Sequence, residues 1–338
     1  MYKITMREHD ELTGSTTRSQ DETGATTPPL SGRAAVDFVE VGPRDGLQNE
    51  SLIVATADKV ALIEKAVAAG IKRIEVASFT RADRVPQMAD AEAVIAALPD
   101  YDDVITIGLV MNKRGALRAF ETKVHELGAV CVASDSFAMA NQGQTALESL
   151  RSACDIVTLA RQQGRRAQIT IGASFGCPFE GEIAPGHIVE MARRAADAQP
   201  LEIGLADTIG VAVPAAVTDL VERVRDAIAP LPVRVHFHNT RNTGIANVWA
   251  AWQAGASVID GSLGGLGGCP FAPGAAGNVP TEDVIYLLER SGVSTGIALD
   301  RAIEAATWLS GVMGKSLPGM VSRSGMFPKQ DQSSNKGQ

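Results

Sequence analysis

The run Val235-His236-Phe237-His238-Asn239 sets two imidazoles two residues apart at the end of an apolar stretch, in a 338-residue chain with only five histidines. Residues i and i+2 of a β-strand face the same way. A strand over Val233–His238 therefore puts both rings on one face, about 6–7 Å apart at ~3.3 Å per residue. One metal ion spans that separation, and a hydrogen-bonded histidine pair closing a strand is the plainer alternative. Asp45, in Pro43-Arg44-Asp45-Gly46, offers a carboxylate, and Asn278 offers an amide oxygen. With His236 and His238 they make a set of two nitrogens and two oxygens. With room for water, that set suits six-coordinate Mg²⁺ or Mn²⁺ better than a closed tetrahedral zinc site. Read locally, Pro-x-Asp-Gly is also a good turn. Arg44 brings a fixed cation beside Asp45, which fits a reaction that builds negative charge on oxygen, such as an enolate formed in carbon–carbon cleavage. A salt bridge to Glu75 or Asp207 is the structural counterpart, and both can hold at once. The segment Gly264-Gly265-Leu266-Gly267-Gly268-Cys269-Pro270 carries one thiol among glycines. It predicts a lid that folds over the site, with Cys269 as proton donor or acceptor. No Lys-Ser/Thr follows it, which excludes a nucleotide P-loop.

These residues need a scaffold that brings distant segments together. From Ala34 onward short apolar runs alternate with stretches of helical period. The candidate strands are Val36–Val41, Arg73–Val76, Val104–Leu109, Ala129–Ala133, Gln168–Ala173, Leu201–Leu205, Val233–His238 and Ser257–Gly261. The helical patterns are Thr56–Ala69, Met88–Ala97, Gly115–Glu126, Thr145–Gln163, His187–Ala198, Pro214–Ala229, Ile245–Ala254 and Thr281–Ser291. Gly70, Gly128 and Gly255 read as helix stops ahead of strands. This alternation predicts an α/β fold, a TIM (β/α)8 barrel over residues 34–316 that includes an extra C-terminal helix, Leu299–Met313. A doubly wound sheet is disfavoured, because no GxGxxG follows the first strand. Barrel chemistry gathers where strands end. Arg44, Asp45, Glu75, Asp207, His236, His238 and the glycine-rich segment all fall there, where burying charge without purpose costs several kcal/mol.

Residues 1–33, rich in Ser, Thr and acids, read as a disordered tail, and 317–338 as a flexible one. The first is too acidic for a typical mitochondrial transit peptide. A net charge of −8 without a basic block argues against a nucleic-acid partner. No apolar run approaches the ~18 residues of a membrane span. Four scattered cysteines without CxxC spacing, and no signal peptide, lead us to expect a reducing, cytoplasmic setting.

Seven separated segments resemble the hydroxymethylglutaryl-CoA lyase family: Val41-Gly42-Pro43-Arg44-Asp45-Gly46-Leu47-Gln48-Asn49-Glu50, Glu75-Val76-Ala77-Ser78-Phe79, Val85-Pro86-Gln87-Met88-Ala89-Asp90, Gly176-Cys177-Pro178-Phe179-Glu180-Gly181, Asp207-Thr208-Ile209-Gly210, Gly265-Leu266-Gly267-Gly268-Cys269-Pro270, and Gly277-Asn278-Val279-Pro280-Thr281-Glu282-Asp283. The resemblance runs in register from about residue 36 to about 315. It implies that Asp45, His236, His238 and Asn278 hold a divalent metal and that Arg44 stabilises the enolate of the leaving acetyl-CoA. It further implies proton transfer by Cys269 and an acyl pocket lined or braced by Gln48, Glu75 and Asp207. The implied reaction is retro-Claisen cleavage of an acyl-CoA by a homodimer, with Asp45 or His236 as the base. Where the family reads Asp-Thr-Tyr-Gly-Gln after the histidines, this chain has Asn239-Thr240-Arg241-Asn242-Thr243, so Arg241 is expected to recognise a substrate carboxylate. Gly204-Leu205-Ala206 stands for Ser-Leu-Gly, and Phe237 for the Cys between the histidines. Hydroxymethylglutaryl-CoA is the first substrate expected and citramalyl-CoA the second. A condensing acyltransferase resembling isopropylmalate synthase is weakened by the glycine-rich cysteine loop. A non-catalytic binding protein is weakened by the complete set of chemical residues.

Overall fold

The computed structural model describes residues 35–268 and 277–328. Eight parallel strands close into a barrel in chain order: β1 (Asp37–Glu40), β2 (Arg73–Ser78), β3 (Ile105–Val110), β4 (Glu126–Val132), β5 (Arg166–Gly172), β6 (Ile203–Asp207), β7 (Val233–Phe237) and β8 (Val258–Gly261), with β8 pairing back to β1. The helices are α1 (Thr56–Ala68), α2 (Ala91–Ala97), α3 (Lys113–Phe120), α4 (Asp135–Gln142), α5 (Ala146–Gln162), α6 (Pro185–Ala196), α7 (Pro214–Ile228), α8 (Gly244–Ala254), α9 (Thr281–Arg290), α10 (Leu299–Met313) and the short α11 (Val321–Ser324). This is the expected TIM barrel. Its strands are buried on both faces, which is why they read as apolar runs rather than alternating ones.

Strands β4, β5 and β6 begin two or three residues from where the sequence predicts, β5 at Arg166 rather than Gln168. Strand β4 starts at Glu126, because Gly128 lies inside it rather than ending a helix, and Glu126 is buried opposite Arg73 at 2.8 Å. Strand β6 runs from Ile203 to Asp207, so Asp207 closes the strand instead of following it. Helix α4 has no apolar stripe of helical period in Asp135–Gln142, and the sequence reading passes over it. Helix α5 begins as its residues dictate: the Thr145 hydroxyl accepts the Glu148 amide while the Glu148 carboxylate accepts the Thr145 amide. The expected extra helix, α10, packs against α1 and α9, with the Ala298 amide bonded to the Ala69 carbonyl.

Beyond α10 the chain stays attached as far as it is described. Leu317 and Val321 are buried, and the Asp283 carboxylate accepts the amides of Met320 and Val321. Residues 317–328 therefore differ from the loose tail expected of them, because those two amides and two apolar side chains dock them on α9. No helix among the described residues is long and apolar enough to cross a membrane.

Inside the barrel the lowest layer is ionic. Arg73 bridges Glu126 and Glu202 at 2.8 and 3.0 Å, and Arg234 donates to Asp260 at 2.8 Å and to Gln168 at 2.7 Å. Charges buried this deep survive only when paired and hydrogen-bonded. The layer forms a polar floor under the mouth, where the candidate catalytic residues stand.

Candidate active site

Directly after β1 the Val41 carbonyl receives three amides, from Arg44, Asp45 and Gly46, at 3.1, 2.7 and 3.2 Å. The result is one π-helical turn, a local irregularity often found at functional sites. Pro43 suits its first residues by supplying a preset φ. Glu40 pins the turn from below. Its carboxyl accepts the Gly42 amide at 2.7 Å and the Leu263 amide at 2.9 Å, joining the first and eighth loops, and burial pushes its pKa up to about 8. The turn aims both Arg44 and Asp45 into the barrel mouth.

There Arg44 lies between two carboxylates. It donates to Asp45 Oδ1 at 2.5 Å and to Glu75 Oε2 at 2.8 Å. Asp45 also accepts Gln48 Nε2 at 2.9 Å and Asn278 Nδ2 at 2.8 Å. Burial alone would raise the Asp45 pKa, but Arg44 and the two histidines outweigh it and hold the carboxyl well below the usual carboxylate range. Asp45 is therefore ionised at any working pH.

The β7 histidines reach the same point. Their ring centroids are 5.2 Å apart, and His236 Nε2 is 4.0 Å from Asp45 Oδ2. The other His236 nitrogen, Nδ1, is 2.8 Å from Asp260 Oδ1, while Asp260 Oδ2 accepts Arg234 Nε at 2.8 Å. Burial raises the Asp260 pKa, yet His236 and Arg234 outweigh it and keep this carboxyl ionised. An ionised carboxylate can only accept, so Nδ1 carries a proton; Nε2 faces Asp45 and offers a lone pair only when the ring is neutral. Burial lowers the His236 pKa, but Asp260 and Asp45 reverse the balance and raise it. Burial, then the neighbouring His236, takes His238 down to about 4, so it is neutral.

The donors fit a metal ion. Asp45, His236 and His238 each offer an atom within 4.8 Å of the others. Two atoms of the proposed ligand residues, His238 Nδ1 and Asn278 Oδ1, are buried without a hydrogen-bond partner among the described residues. A lone buried acceptor is costly unless something else satisfies it. A cation would do so, and carboxylate, imidazole and amide oxygen suit a hard or borderline divalent ion. Asp260 behind His236 is the outer partner that metal-bound histidines commonly have. Asp260→Asn is expected to weaken Mn²⁺ binding to metal-free protein by about 10–100-fold by calorimetry, with unaltered affinity arguing against this role.

The HMGL-like family model matches residues 35–308, nearly the whole described barrel. The chain belongs to the HMGL-like family. A citramalyl-CoA lyase, the (R)-specific enzyme of Chloroflexus aurantiacus, is 42% identical over 306 residues, spanning 87% of this chain and 96% of the relative. The cytoplasmic 3-hydroxy-3-methylglutaryl-CoA lyase of Rattus norvegicus is 35% identical over 326 residues, spanning 95% and 94%. Among solved structures, an HMG-CoA lyase from Acinetobacter baumannii in complex with coenzyme A and 3-methylmalate superposes with a TM-score of 0.84 at 38% identity, covering 88% of this chain and 97% of that one. As a member of the HMGL-like family, the chain is a carbon–carbon lyase.

In this HMGL-like barrel the structure gathers Arg44, Asp45, Gln48, Glu75, His236, His238 and Asn278 at one place. Asp207 and Arg241 do other work. The Asp207 carboxylate accepts the amides of Val211 and Ala212 at 2.9 Å each, so it braces the loop after β6, and burial raises its pKa. Arg241 is exposed and donates to the carbonyls of Ile209 at 3.2 Å and Gly210 at 2.8 Å, and it is not among the residues that line the cavity. The sequence offers it as a carboxylate binder; two loop carbonyls hold it instead. Cys269 lies outside the described residues. The glycines before it are packed rather than free: a Cβ on Gly267, at φ +112°, would come within 2.7 Å of Asn278 Nδ2 and 2.9 Å of the Asp45 carbonyl. Here glycine serves close backbone approach, not freedom.

A cavity of about 1400 Å³ opens over these groups. Arg81, Arg84, Lys113, Arg114 and Arg118 stand along it on the loops and helix after β2 and β3. Sequence reasoning missed three residues that matter here: Asp260, Arg234 and Gln168. Each is a polar side chain within an apolar strand pattern, the same signal that pointed to Glu75.

Proposed function

We propose that this chain cleaves 3-hydroxy-3-methylglutaryl-CoA, or a close 3-hydroxyacyl-CoA, to acetyl-CoA and a keto acid in a reaction dependent on a divalent metal, Mg²⁺ or Mn²⁺. The observation that carries the reading is the convergence of Arg44 with the Asp45–His236–His238 cluster beneath a cavity of this size. Bound by Asp45, His236, His238 and Asn278, the ion would act as a Lewis acid toward substrate oxygens. The remaining work falls to the chain. Asp45, or His236 if its Nε2 is not on the ion, takes the proton of the tertiary hydroxyl, and the bond between C2 and C3 breaks as the hydroxyl oxygen becomes the product ketone. The electron pair passes to the acetyl-CoA enolate. Arg44, locked by Glu75, presents an oriented guanidinium where that enolate charge develops. On the resemblance to the family, Cys269 returns a proton to the enolate carbon.

Five basic side chains in a chain of net charge −8 suit the phosphates of coenzyme A. Lys113→Ala with Arg114→Ala is expected to raise KM for the acyl-CoA several-fold while leaving kcat close to wild type. Those two cations are exposed, so the effect should shrink at high salt, and a KM unaffected by the pair would move the phosphates elsewhere. We extend the proposal to a cytoplasmic homodimer, on the resemblance to the family and on three free thiols among the described cysteines.

A second reading, cleavage of (R)-citramalyl-CoA, has the 42% relative in its favour. The test separates the two by coproduct: acetoacetate from 3-hydroxy-3-methylglutaryl-CoA, pyruvate from citramalyl-CoA. A higher kcat/KM for the first substrate supports the primary reading; the reverse supports the second.

A further inference from the structure

Five glycines lie within the barrel strands, and most are there because something presses against them. A Cβ on Gly108 would come within 2.6 Å of the Phe79 ring, and one on Gly204 within 2.8 Å of Thr170 Oγ1. On Gly261 it would come within 3.1 Å of both the Phe38 ring and the Val279 carbonyl. Gly172 is different. A Cβ there would meet the Cys131 carbonyl at 3.5 Å and Thr208 Oγ1 and Val132 Cγ2 at 3.7 Å, all ordinary contacts. Its φ is not positive either. Neither packing nor backbone conformation asks for glycine at 172. Glycine weakens a strand, and its presence there often marks the close approach of a ligand. Gly128 has similar room but stands level with Gln168 in the floor. Gly172 ends β5 at the mouth and lines the cavity.

The wall around Gly172 is small throughout. Ile171 pairs with Leu205, so Gly172 stands beside Ala206, and Ala206 in turn pairs with His236. Adjacent strands run ~4.8 Å apart, so Ala206 is one strand and Gly172 two strands from a proposed metal ligand. Val130 and Thr170, both half-buried, extend the wall, and all four residues line the cavity. None of them carries a charge. Arg234 on β7 is committed to Asp260 and Gln168, so this wall suits an alkyl chain rather than a second carboxylate.

We propose that Val130, Thr170, Gly172 and Ala206 form the pocket for the alkyl substituent on the hydroxyl-bearing carbon, and that this pocket holds a chain longer than methyl. A substrate hydroxyl held at the metal site sets its carbon beside β7, from where the substituent extends along β6 and β5. The inference rests on the acyl-CoA lyase reading above and narrows its substrate class to 3-hydroxyacyl-CoA thioesters with a bulkier branch.

The experiment measures kcat/KM for acetyl-CoA release from 3-hydroxy-3-methylglutaryl-CoA and from 3-hydroxy-3-propylglutaryl-CoA, using the full chain with Mn²⁺. The wild-type ratio, propyl over methyl, is expected to be about one or more. Gly172→Val is expected to lower that ratio about tenfold or more, since one methylene in an apolar pocket is worth about 10–200-fold in discrimination. Gly172→Ala, whose added carbon meets nothing nearer than 3.5 Å, should lower it in the same direction and covers the case in which valine disturbs β5. Partial unfolding scales both substrates alike and leaves the ratio unmoved, so the ratio separates a pocket from a merely structural role. A wild-type ratio below one, or a ratio that neither variant lowers, would overturn the pocket. Failure of the wild-type protein to release acetyl-CoA from 3-hydroxy-3-methylglutaryl-CoA, its propyl homologue or citramalyl-CoA would instead overturn the substrate reading, and the inference with it.

Discussion

Arg44→Gln is expected to lower kcat by about 10²–10³-fold with little change in KM, the loss seen when a single preorganised donor to a developing oxyanion is removed. Arg44 is built for that role. Its guanidinium is buried, bonded to Asp45 on one side and Glu75 on the other, and so cannot swing toward bound substrate or away from it. An interaction made only as charge develops should lower kcat and kcat/KM equally. Arg44→Lys should not restore the rate, because a single ammonium lacks the planar fork that spans both carboxylates. The variant also leaves the Glu75 carboxylate buried without its cation, and breaking such a pair costs about 3–5 kcal/mol. Thermal melting must therefore accompany the kinetics. A KM that rises while kcat stays constant would mean that Arg44 binds substrate in the ground state, and the enolate role would fall.

Asp45→Asn is expected to abolish turnover and to raise the Mn²⁺ dissociation constant by more than ~100-fold, above the 10–100-fold that an outer partner contributes. Asp45 is the only carboxylate among the proposed ligands, and its neighbours keep it ionised. The histidines that remain are neutral or hydrogen-bonded elsewhere: His238 is held down to about 4, and His236 is tied through Nδ1 to Asp260. Without the carboxylate, two neutral nitrogens and an amide oxygen are left to bind a doubly charged ion. Calorimetry on metal-free protein reads the affinity directly. Retained affinity in the variant would remove Asp45 from the ligand set and leave it only as a partner of Arg44.

Much of this site was legible because its chemistry sits at strand ends. The i, i+2 spacing of His236 and His238 and the Arg44-Asp45 pair break an apolar pattern where a barrel strand meets its loop, and Glu75 breaks one inside β2. What stayed hidden depends on closure. Gln168, Arg234 and Asp260 are 66 and 26 residues apart, and only the curvature of the sheet makes them one hydrogen-bonded chain behind His236. In sequence Gly128 reads as a stop and puts Glu126 at the end of a helix; its buried pairing with Arg73 goes with its place at the start of β4. Arg241 misled for a similar reason. Sequence places a cation after the histidines, but the left-handed turn at Gly210, φ +63°, brings loop carbonyls within its reach and holds it there. Gly267 shows that composition alone does not separate mobility from tight packing, since it is glycine to admit Asn278 and the Asp45 backbone.

The most direct test of the account is acetyl-CoA release from 3-hydroxy-3-methylglutaryl-CoA by protein stripped with EDTA and then resupplied with Mg²⁺ or Mn²⁺. We expect no release from the stripped protein and recovery on adding either ion, with Asp45→Asn silent throughout. Undiminished release from protein that holds no metal would contradict the central claim that Asp45, His236 and His238 act as a metal site.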